Sequence, residues 1–332
     1  MAAESVKVLV VNAIGDESLR MIRSLSPRIE VTDVSDLARA ERRGDFSRRG
    51  ELDVLLASAE VIYALKFPPD LIARAPRLNW VQMYSTGVDR ALDDDFRNSR
   101  VTMTCMSGCH ETTIGEFVLM LMLMFVKQAP RSFLQKQSGR WKWFPVGVLR
   151  SKTVGIVGLG RIGRELARVC QAFGMRVLAT HRSARKVTRA RNVDRVLPRE
   201  QLPELLSQSD FVVIAVPLTS ETRGLIGEKE LRAMKPTAYL INIARGAIVD
   251  EAALIRALRE QWIAGAGLDV FATEPLPPDS PLREFPNVIF SPHVAGDIED
   301  YNARATELFC ENLRRYLDGR KLLNVVDKKR GY

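Results

Sequence analysis

Three polar residues in the second half of the chain each stand just after an apolar run. Arg245 follows Tyr239-Leu240-Ile241-Asn242-Ile243-Ala244 and precedes Gly246. Glu274 follows Ala266-Gly267-Leu268-Asp269-Val270-Phe271, and His293 follows Val288-Ile289-Phe290-Ser291-Pro292. An open α/β sheet places its ligands at such strand ends. Their chemistry is complementary. A guanidinium grips a carboxylate bidentately, an imidazole exchanges a proton with a carbonyl or alcohol oxygen, and a carboxylate holds the imidazole and favours its charged form. Together they form a set suited to hydride transfer. Singly, each also suits a structural role, since an arginine serves helix ends, a glutamate before Pro275 opens a loop, and lone histidines often fill structure. Spacing in the chain does not by itself bring them together.

The element that would bring a hydride carrier to this set is Gly158-Leu159-Gly160-Arg161-Ile162-Gly163. Upstream lies the β-branched run Thr153–Val157. Downstream, apolar positions 162, 166, 169, 170 and 173 fall at helical spacing until Gly174, and Arg176–Thr180 reads as the next strand. In a strand–helix–strand unit of about thirty residues each glycine has a task. Gly158 permits the tight turn, Gly160 admits a pyrophosphate to the backbone, and Gly163 lets helix and strand pack closely. The helix start adds N–H donors and positive dipole. A glycine turn without a ligand is the plainer alternative; the setting favours a dinucleotide.

At 332 residues and 46% hydrophobic composition the chain suits two domains, each with its own core. No signal peptide is visible before the strand Val6–Val11, and the longest apolar run, Phe117–Val126, reads as a buried helix rather than a membrane span. A soluble, cytoplasmic protein is expected. Four cysteines in this length make no disulfide framework. Cys105, Cys109, His110 and Glu111 lie close together, but with three histidines in all, no second cluster completes a metal site, and no metal is expected. The net charge of +9 is concentrated in two groups: Arg39, Arg42, Arg43, Arg48 and Arg49, read as a solvated face, and Arg182, Arg185, Lys186, Arg189 and Arg191, just past the second nucleotide strand. Neither nucleic acid nor membrane is expected as a partner.

The first hundred residues alternate strands (Val6–Val11, Asp53–Leu56, Trp80–Met83, Val101–Thr104) with helical stretches such as Glu17–Leu25, the rhythm of a parallel sheet. A long helix from about Thr112 to Lys127 leads to Ser138-Gly139-Arg140-Trp141-Lys142-Trp143. Strands near 154–158, 176–180, 211–215, 238–243, 264–268 and 288–291 then predict a doubly wound sheet in the order 3-2-1-4-5-6. A last helix, Tyr301–Leu317, is expected to return to the N-terminal domain. The fold class is therefore α/β: a Rossmann-type doubly wound parallel sheet over 113–297, plus a smaller, discontinuous flavodoxin-like domain over 1–112 and 298–332, with a cleft between them.

The sequence resembles the D-isomer-specific 2-hydroxyacid dehydrogenases over nearly its whole length. Five blocks carry the resemblance in the family's order: 153–163, Val216–Thr222, Asn242–Gly246, Gly267–Pro277 and Ser291–Gly296. It implies an NAD(P)-dependent oxidoreductase acting on a small 2-oxoacid or D-2-hydroxyacid, such as glyoxylate or hydroxypyruvate. Arg245 would bind the substrate carboxylate and carbonyl, His293 would be the acid–base catalyst, and Glu274 its partner. The Ser85-Thr86-Gly87-Val88 backbone would receive the carboxylate. Gly158, Gly160, Arg161, Ile162, Gly163, His181, Arg182, Ser183, Pro217, Thr222, Ile243, Ala244 and Gly296 would contact the cofactor, with Asp269 meeting the nicotinamide carboxamide. A homodimer is implied, with Trp141 and Trp143 in its contacts or reaching a neighbouring subunit's site.

Two positions depart from the family's habit. Many members end the second nucleotide strand with an aspartate that takes the ribose hydroxyls; here stand His181, Arg182 and Ser183. With no carboxylate to repel a 2′-phosphate and cations to bind one, NADP(H) is expected over NAD(H). His110 replaces an asparagine and is the rival acid–base candidate, although the start of the long helix would use it structurally. Tyr63, Met83, Tyr84 and Trp141 are candidate pocket residues. The alternative from another class is a cofactor-sensing interaction protein resembling the C-terminal-binding corepressors, which keep the dyad. A formate-dehydrogenase-like enzyme would replace Glu274 by glutamine, and a phosphite-dehydrogenase-like one would carry a lysine in the 83–87 loop.

Overall fold

The computed structural model describes residues 5–332. The chain divides into two compact units, one formed by residues up to Cys109 and from Ile298 onward, the other by His110–Asp297. The first unit runs β1 (Val6–Val10), α1 (Asp16–Arg23), β2 (Ile29–Asp33), α2 (Ser35–Arg42), α3 (Arg49–Ser58), β3 (Val61–Ala64), α4 (Leu71–Arg74), β4 (Trp80–Met83), α5 (Asp94–Asn98) and β5 (Thr102–Thr104). Its strands lie in the order 2-1-3-4-5, all parallel. That is the flavodoxin-like order, in which ligands meet the carboxyl ends of the strands.

The expected strand Asp53–Leu56 is instead part of α3. Leu52 and Leu56, four apart, are both buried while Val54 is exposed, so the apolar run follows helical and not strand periodicity. Strands β2 and β3 were not anticipated. β2 is an edge strand with three charged or polar exteriors, and β3 is a four-residue strand buried at every position. The arginine group at 39–49 is a paired surface: Arg39 meets Asp36, Arg48 meets Glu51, and Arg49 faces Glu41, Asp53 and Asp70.

The second unit continues with α6 (Glu111–Val126), α7 (Ala129–Gln137), β6 (Thr153–Val157), α8 (Arg161–Ala172), β7 (Arg176–Thr180), β8 (Thr188–Ala190), β9 (Val193–Leu197), α9 (Leu202–Gln208), β10 (Phe211–Ile214), α10 (Glu228–Ala233), β11 (Tyr239–Asn242), α11 (Glu251–Arg259), β12 (Gly265–Leu268) and β13 (Val288–Phe290). Its eight strands follow β13-β12-β11-β10-β6-β7-β9-β8, with only β8 antiparallel. Side chains of β10 alternate between two cores: Val212 and Ile214 pack with α9–α11, Phe211 and Val213 with α6 and α8. This period of two between two apolar layers is why the strands read as continuous apolar runs.

The predicted order needs one correction. The run at 211–215 pairs with β6 on the side away from β7, so it is the fourth strand of the doubly wound order and not the third. The third is β9, which pairs with β7. Its sequence, Val193-Asp194-Arg195-Val196-Leu197, interrupts the apolar pattern with two charges and follows a basic segment that reads as a loop. Residues 301–317 form α12 as expected, and it packs Ala305, Phe309, Cys310 and Leu313 on the first unit's sheet beside α1. No single helix among the described residues is long and apolar enough to cross a membrane. The apolar α6 buries Ile114, Val118, Leu121, Met122, Phe125 and Val126 against its own unit.

Candidate functional site

The glycine loop joins β6 to α8, and its three glycines meet three different constraints. Gly158 sits at φ 106°, where a Cβ would stand 2.7 Å from the Ala215 carbonyl oxygen and 2.6 Å from Val216. At Gly163 a Cβ would lie 2.1 Å from the Gly158 oxygen, so only glycine lets α8 approach β6 this closely. Gly160 has nothing within 4 Å of where its Cβ would be. Open space therefore lies beside the start of α8, whose first N–H groups have no intrahelical acceptor. A dinucleotide pyrophosphate fits this place by both room and donors. The loop is fixed from β7, since Thr180 accepts from Leu159 N–H through its carbonyl and from Gly158 N–H through its hydroxyl. His181 and Ser183 follow directly, joined by a 2.9 Å contact between the imidazole Nδ1 and the serine hydroxyl. Arg182 beside them is exposed. On the neighbouring strand end, Thr222 closes its own loop by donating to the Pro217 carbonyl at 2.6 Å.

Of the strand-end set, the structure brings Glu274 and His293 together: Glu274 Oε2 stands 3.0 Å from His293 Nδ1. The other carboxylate oxygen accepts from Phe271 N–H at 3.1 Å. That second bond aims the carboxylate. Arg245 is tied to the same backbone, because Gly246 packs so tightly on the Phe271 carbonyl that a Cβ would fall 1.9 Å from its carbon. Asn242, the last residue of β11, straddles the arginine's peptides. Its Oδ1 accepts from Ala244 N–H at 3.1 Å and its Nδ2 donates to the Arg245 carbonyl at 3.0 Å.

His293 itself occupies φ 59°, a left-handed conformation that an L-residue adopts at a cost of about 1–2 kcal/mol. Asp269 holds it there. This carboxylate, 1% exposed, accepts from the Ser291 hydroxyl (2.7 Å), Val294 N–H (2.8 Å) and Ala295 N–H (2.9 Å), on both sides of the histidine. Asp269 was expected to face a nicotinamide; three of its four lone pairs serve the histidine's loop, and one on Oδ2 is left over.

The first unit presents a different kind of geometry after β4. Four of the carbonyls in the Tyr84–Val88 segment are held, Val88 O by Ala91 N–H at 2.9 Å. Tyr84 O accepts from the Tyr301 hydroxyl (2.6 Å), Ser85 O from Met106 N–H (3.0 Å), and Gly87 O from the Ser85 hydroxyl (2.8 Å). Thr86 adds its own bond to the Met106 carbonyl. Among the described residues no acceptor stands against the N–H groups of Ser85, Thr86, Gly87 or Val88. A run of unused donors at a parallel-strand carboxyl end is suited to an anion.

Comparison with known proteins places this geometry. The D-isomer specific 2-hydroxyacid dehydrogenase NAD-binding domain matches residues 119–295. The glyoxylate reductase of Aeropyrum pernix is 39% identical over 285 residues, covering 82% of this chain and 84% of that protein. The glyoxylate reductase of Thermococcus gammatolerans is 35% identical, covering 97% and 96%. The chain belongs to the D-isomer-specific 2-hydroxyacid dehydrogenase family. It is an NAD(P)-dependent 2-hydroxyacid oxidoreductase. Among solved structures, the dehydrogenase from Xanthobacter autotrophicus Py2 in complex with NADPH and MES is 32% identical, with a TM-score of 0.83 over 99% of this chain and all of that one. The NADPH-dependent glyoxylate/hydroxypyruvate reductase of Sinorhizobium meliloti, in complex with NADP and sulfate, is 28% identical with a TM-score of 0.84 over 99% and 100%.

Within this family frame several residues take places that the sequence left open. His110 is the N-cap residue of α6, and its Nδ1 lies 2.9 Å from the Gly296 carbonyl oxygen. A carbonyl only accepts, so Nδ1 carries the hydrogen, and the ring ties α6 to the end of the His293 loop. Tyr63 is buried completely, stacked on Phe309 at 4.3 Å with Tyr84 tilted against it, and Trp80 packs in turn on Phe309. It is a core residue, as Tyr84 largely is. Trp141 and Trp143 stand fully or nearly fully in the open, at 102% and 82% exposure. Asn242 and Ser291 were missed because each lies within a strand or next to a proline, where a short polar residue gives no signal of its own. Among the described residues no group of three or more His, Cys, Asp or Glu side chains could hold a metal ion.

Proposed function

We propose that this dehydrogenase reduces a small 2-oxoacid, glyoxylate or hydroxypyruvate being the first candidates, with NADPH favoured over NADH. The observation that carries the cofactor half is the strand end after β7. His181, Arg182 and Ser183 stand there without a carboxylate, beside an exposed basic segment. Repulsion of a 2′-phosphate is absent and a charge-assisted contact is at hand. A preference of ten- to a hundredfold needs only about 1.4–2.8 kcal/mol. The substrate half is supported by the names of the relatives, glyoxylate reductases matched over 84% and 96% of their lengths.

In this reading the second unit is the dinucleotide-binding domain and the first the substrate-binding domain. The nicotinamide, when bound, supplies the hydride. The chain's own residues do the rest. Arg245 binds the substrate carboxylate and polarises the carbonyl, and the Ser85–Val88 N–H groups are donors for the carboxylate. His293, with Nδ1 on Glu274, has Nε2 left to deliver a proton to the carbonyl oxygen as it gains charge, and to remove one in the reverse direction. Glu274 stabilises the imidazolium and fixes its orientation. Gly158, Gly160, Gly163 and the start of α8 (Arg161, Ile162) hold the pyrophosphate, while Pro217, Thr222, Ile243, Ala244, Asp269 and Gly296 flank the rest of the cofactor.

A homodimer belongs to the same reading. Phe133, Leu134, Trp141, Trp143, Val146 and Val148 are exposed within one stretch of sixteen residues, an apolar concentration that a lone molecule rarely leaves uncovered. Among the described residues the four cysteines form no disulfide, which fits a reducing, cytoplasmic location.

The deciding experiment is a panel of glyoxylate, hydroxypyruvate, pyruvate, phenylpyruvate and 2-oxoisocaproate with NADPH and with NADH, followed at about 340 nm. The expected outcome is highest kcat/KM on glyoxylate or hydroxypyruvate and at least tenfold better use of NADPH. A tenfold preference for NADH would refute the cofactor assignment. A best rate on the branched or aromatic acids would refute the substrate class.

A further inference from the structure

The carbonyl that opens the Ser85–Val88 loop is held by a residue more than two hundred positions away. Tyr301, the first residue of α12, donates its hydroxyl to the Tyr84 carbonyl at 2.6 Å. The two tyrosine rings meet edge to face with centroids 5.0 Å apart. The Tyr84 hydroxyl in turn donates to Asn302 Oδ1, so the first two residues of α12 clasp Tyr84 from both ends. The two halves of the clasp are not equivalent. In a trans peptide the carbonyl and the following N–H point in opposite directions. Fixing Tyr84 C=O toward Tyr301 therefore fixes Ser85 N–H away from it. The Tyr84–Asn302 bond orients a side chain only.

We propose that Tyr301 is a positioning residue for 2-oxoacid binding, its hydroxyl setting the Tyr84–Ser85 peptide so that Ser85 N–H is pre-aimed at the substrate carboxylate. The proposal rests on the reading that this loop receives the carboxylate. Pre-aimed dipoles save the reorganisation that a free peptide would undergo on binding. Losing Tyr301's donor should thus weaken binding of carboxylate ligands and leave the proton and hydride steps alone.

The test uses glyoxylate as substrate and oxamate as a non-reacting carboxylate probe, on the full-length enzyme with NADPH. Tyr301→Phe is expected to raise the KM for glyoxylate and the Kd for oxamate together, roughly five- to tenfold, as the loss of one hydrogen bond predicts. The kcat and the Kd for NADPH should stay within about twofold. Asn302→Ala cuts the other half of the clasp and should lower the urea midpoint without moving either constant. Should the Phe variant fail to fold, Tyr301→Gln and Tyr301→Met form a substitute pair of similar length, and Gln, which keeps a donor, is expected to bind oxamate more tightly. Ser85→Ala frees the Gly87 carbonyl independently of Tyr301. If Ser85→Ala raises KM and Tyr301→Phe does not, the role of Tyr301 falls while the loop reading stands. If neither moves KM, both fall. Equal rises from Tyr301→Phe and Asn302→Ala would show a structural clasp and overturn the proposal.

Discussion

His293 combines two demands that conflict within a single residue. Its imidazole must sit against Glu274 at 3.0 Å, and to reach that place its backbone takes φ 59°. The chemistry and the strain separate in two substitutions. His293→Ala keeps the strained backbone and loses the proton carrier, so kcat should fall by about 10²–10⁴-fold with NADPH binding near normal, read by single-turnover kinetics and fluorescence titration. His293→Gly should be equally inactive yet more stable than the Ala variant by about 1 kcal/mol in urea unfolding, because glycine accepts positive φ without steric cost. Equal stability of the two would mean that the loop does not force the conformation. At the adenosine end, Arg182→Ala should lower the NADPH-over-NADH ratio in kcat/KM by about tenfold, the value of one charge-assisted contact of about 1.4 kcal/mol. An unchanged ratio would remove Arg182 from the 2′-phosphate site. Residues of this kind were legible in the sequence because their types are rare and their place after apolar runs is distinctive. Asn242 and Tyr301 were not. An asparagine at a strand end and a tyrosine opening a helix acquire meaning only when the fold brings Arg245 or Tyr84 against them.

Between residue and domain, the loop from Ser291 to Ala295 works as one element because a single buried carboxylate gathers its donors. Asp269 leaves β12 at the point where its side chain meets Ser291, Val294 and Ala295, and among the described residues no other acceptor serves the Val294 and Ala295 amides. Asp269→Asn replaces an acceptor oxygen by an NH₂ that faces an N–H or hydroxyl donor, leaving buried groups unpaired at about 1–3 kcal/mol. The expected result is lower stability together with a kcat reduced by at least tenfold, since the loop carries His293. A stable Asn variant with normal kcat would confine Asp269 to cofactor contact. Element identity was legible in strands buried on both faces such as β6, β10 and β11, although the equally buried β3 escaped. It failed where burial was one-sided or short. The short apolar run Val54-Leu55-Leu56 made α3 look like a strand, and Asp194 and Arg195 hid β9. The error in β9 passed directly into strand order, because the doubly wound pattern counts every strand.

For the whole molecule, a parallel sheet and a mainly parallel one differ in strand order, and one segment of the second unit is left apolar and open. Residues 133–148 carry Phe133, Leu134, Trp141, Trp143, Val146 and Val148 exposed, while α6 just before them is buried in its own unit. Burial of each tryptophan removes on the order of 150–250 Å² from water, and at about 25 cal/mol per Å² the pair alone contributes roughly 7–12 kcal/mol before the costs of association. Aromatic anchors of this kind concentrate interface energy. The double substitution Trp141→Ser, Trp143→Ser should therefore shift the protein from dimer to monomer in light scattering at micromolar concentration. The urea stability of the monomeric fold should barely change, because neither ring packs within its own chain. If activity also falls in the monomer while NADPH still binds, the second copy contributes to the site itself. If the wild-type chain runs as a monomer at these concentrations, the apolar stretch serves some other contact and the homodimer reading is withdrawn.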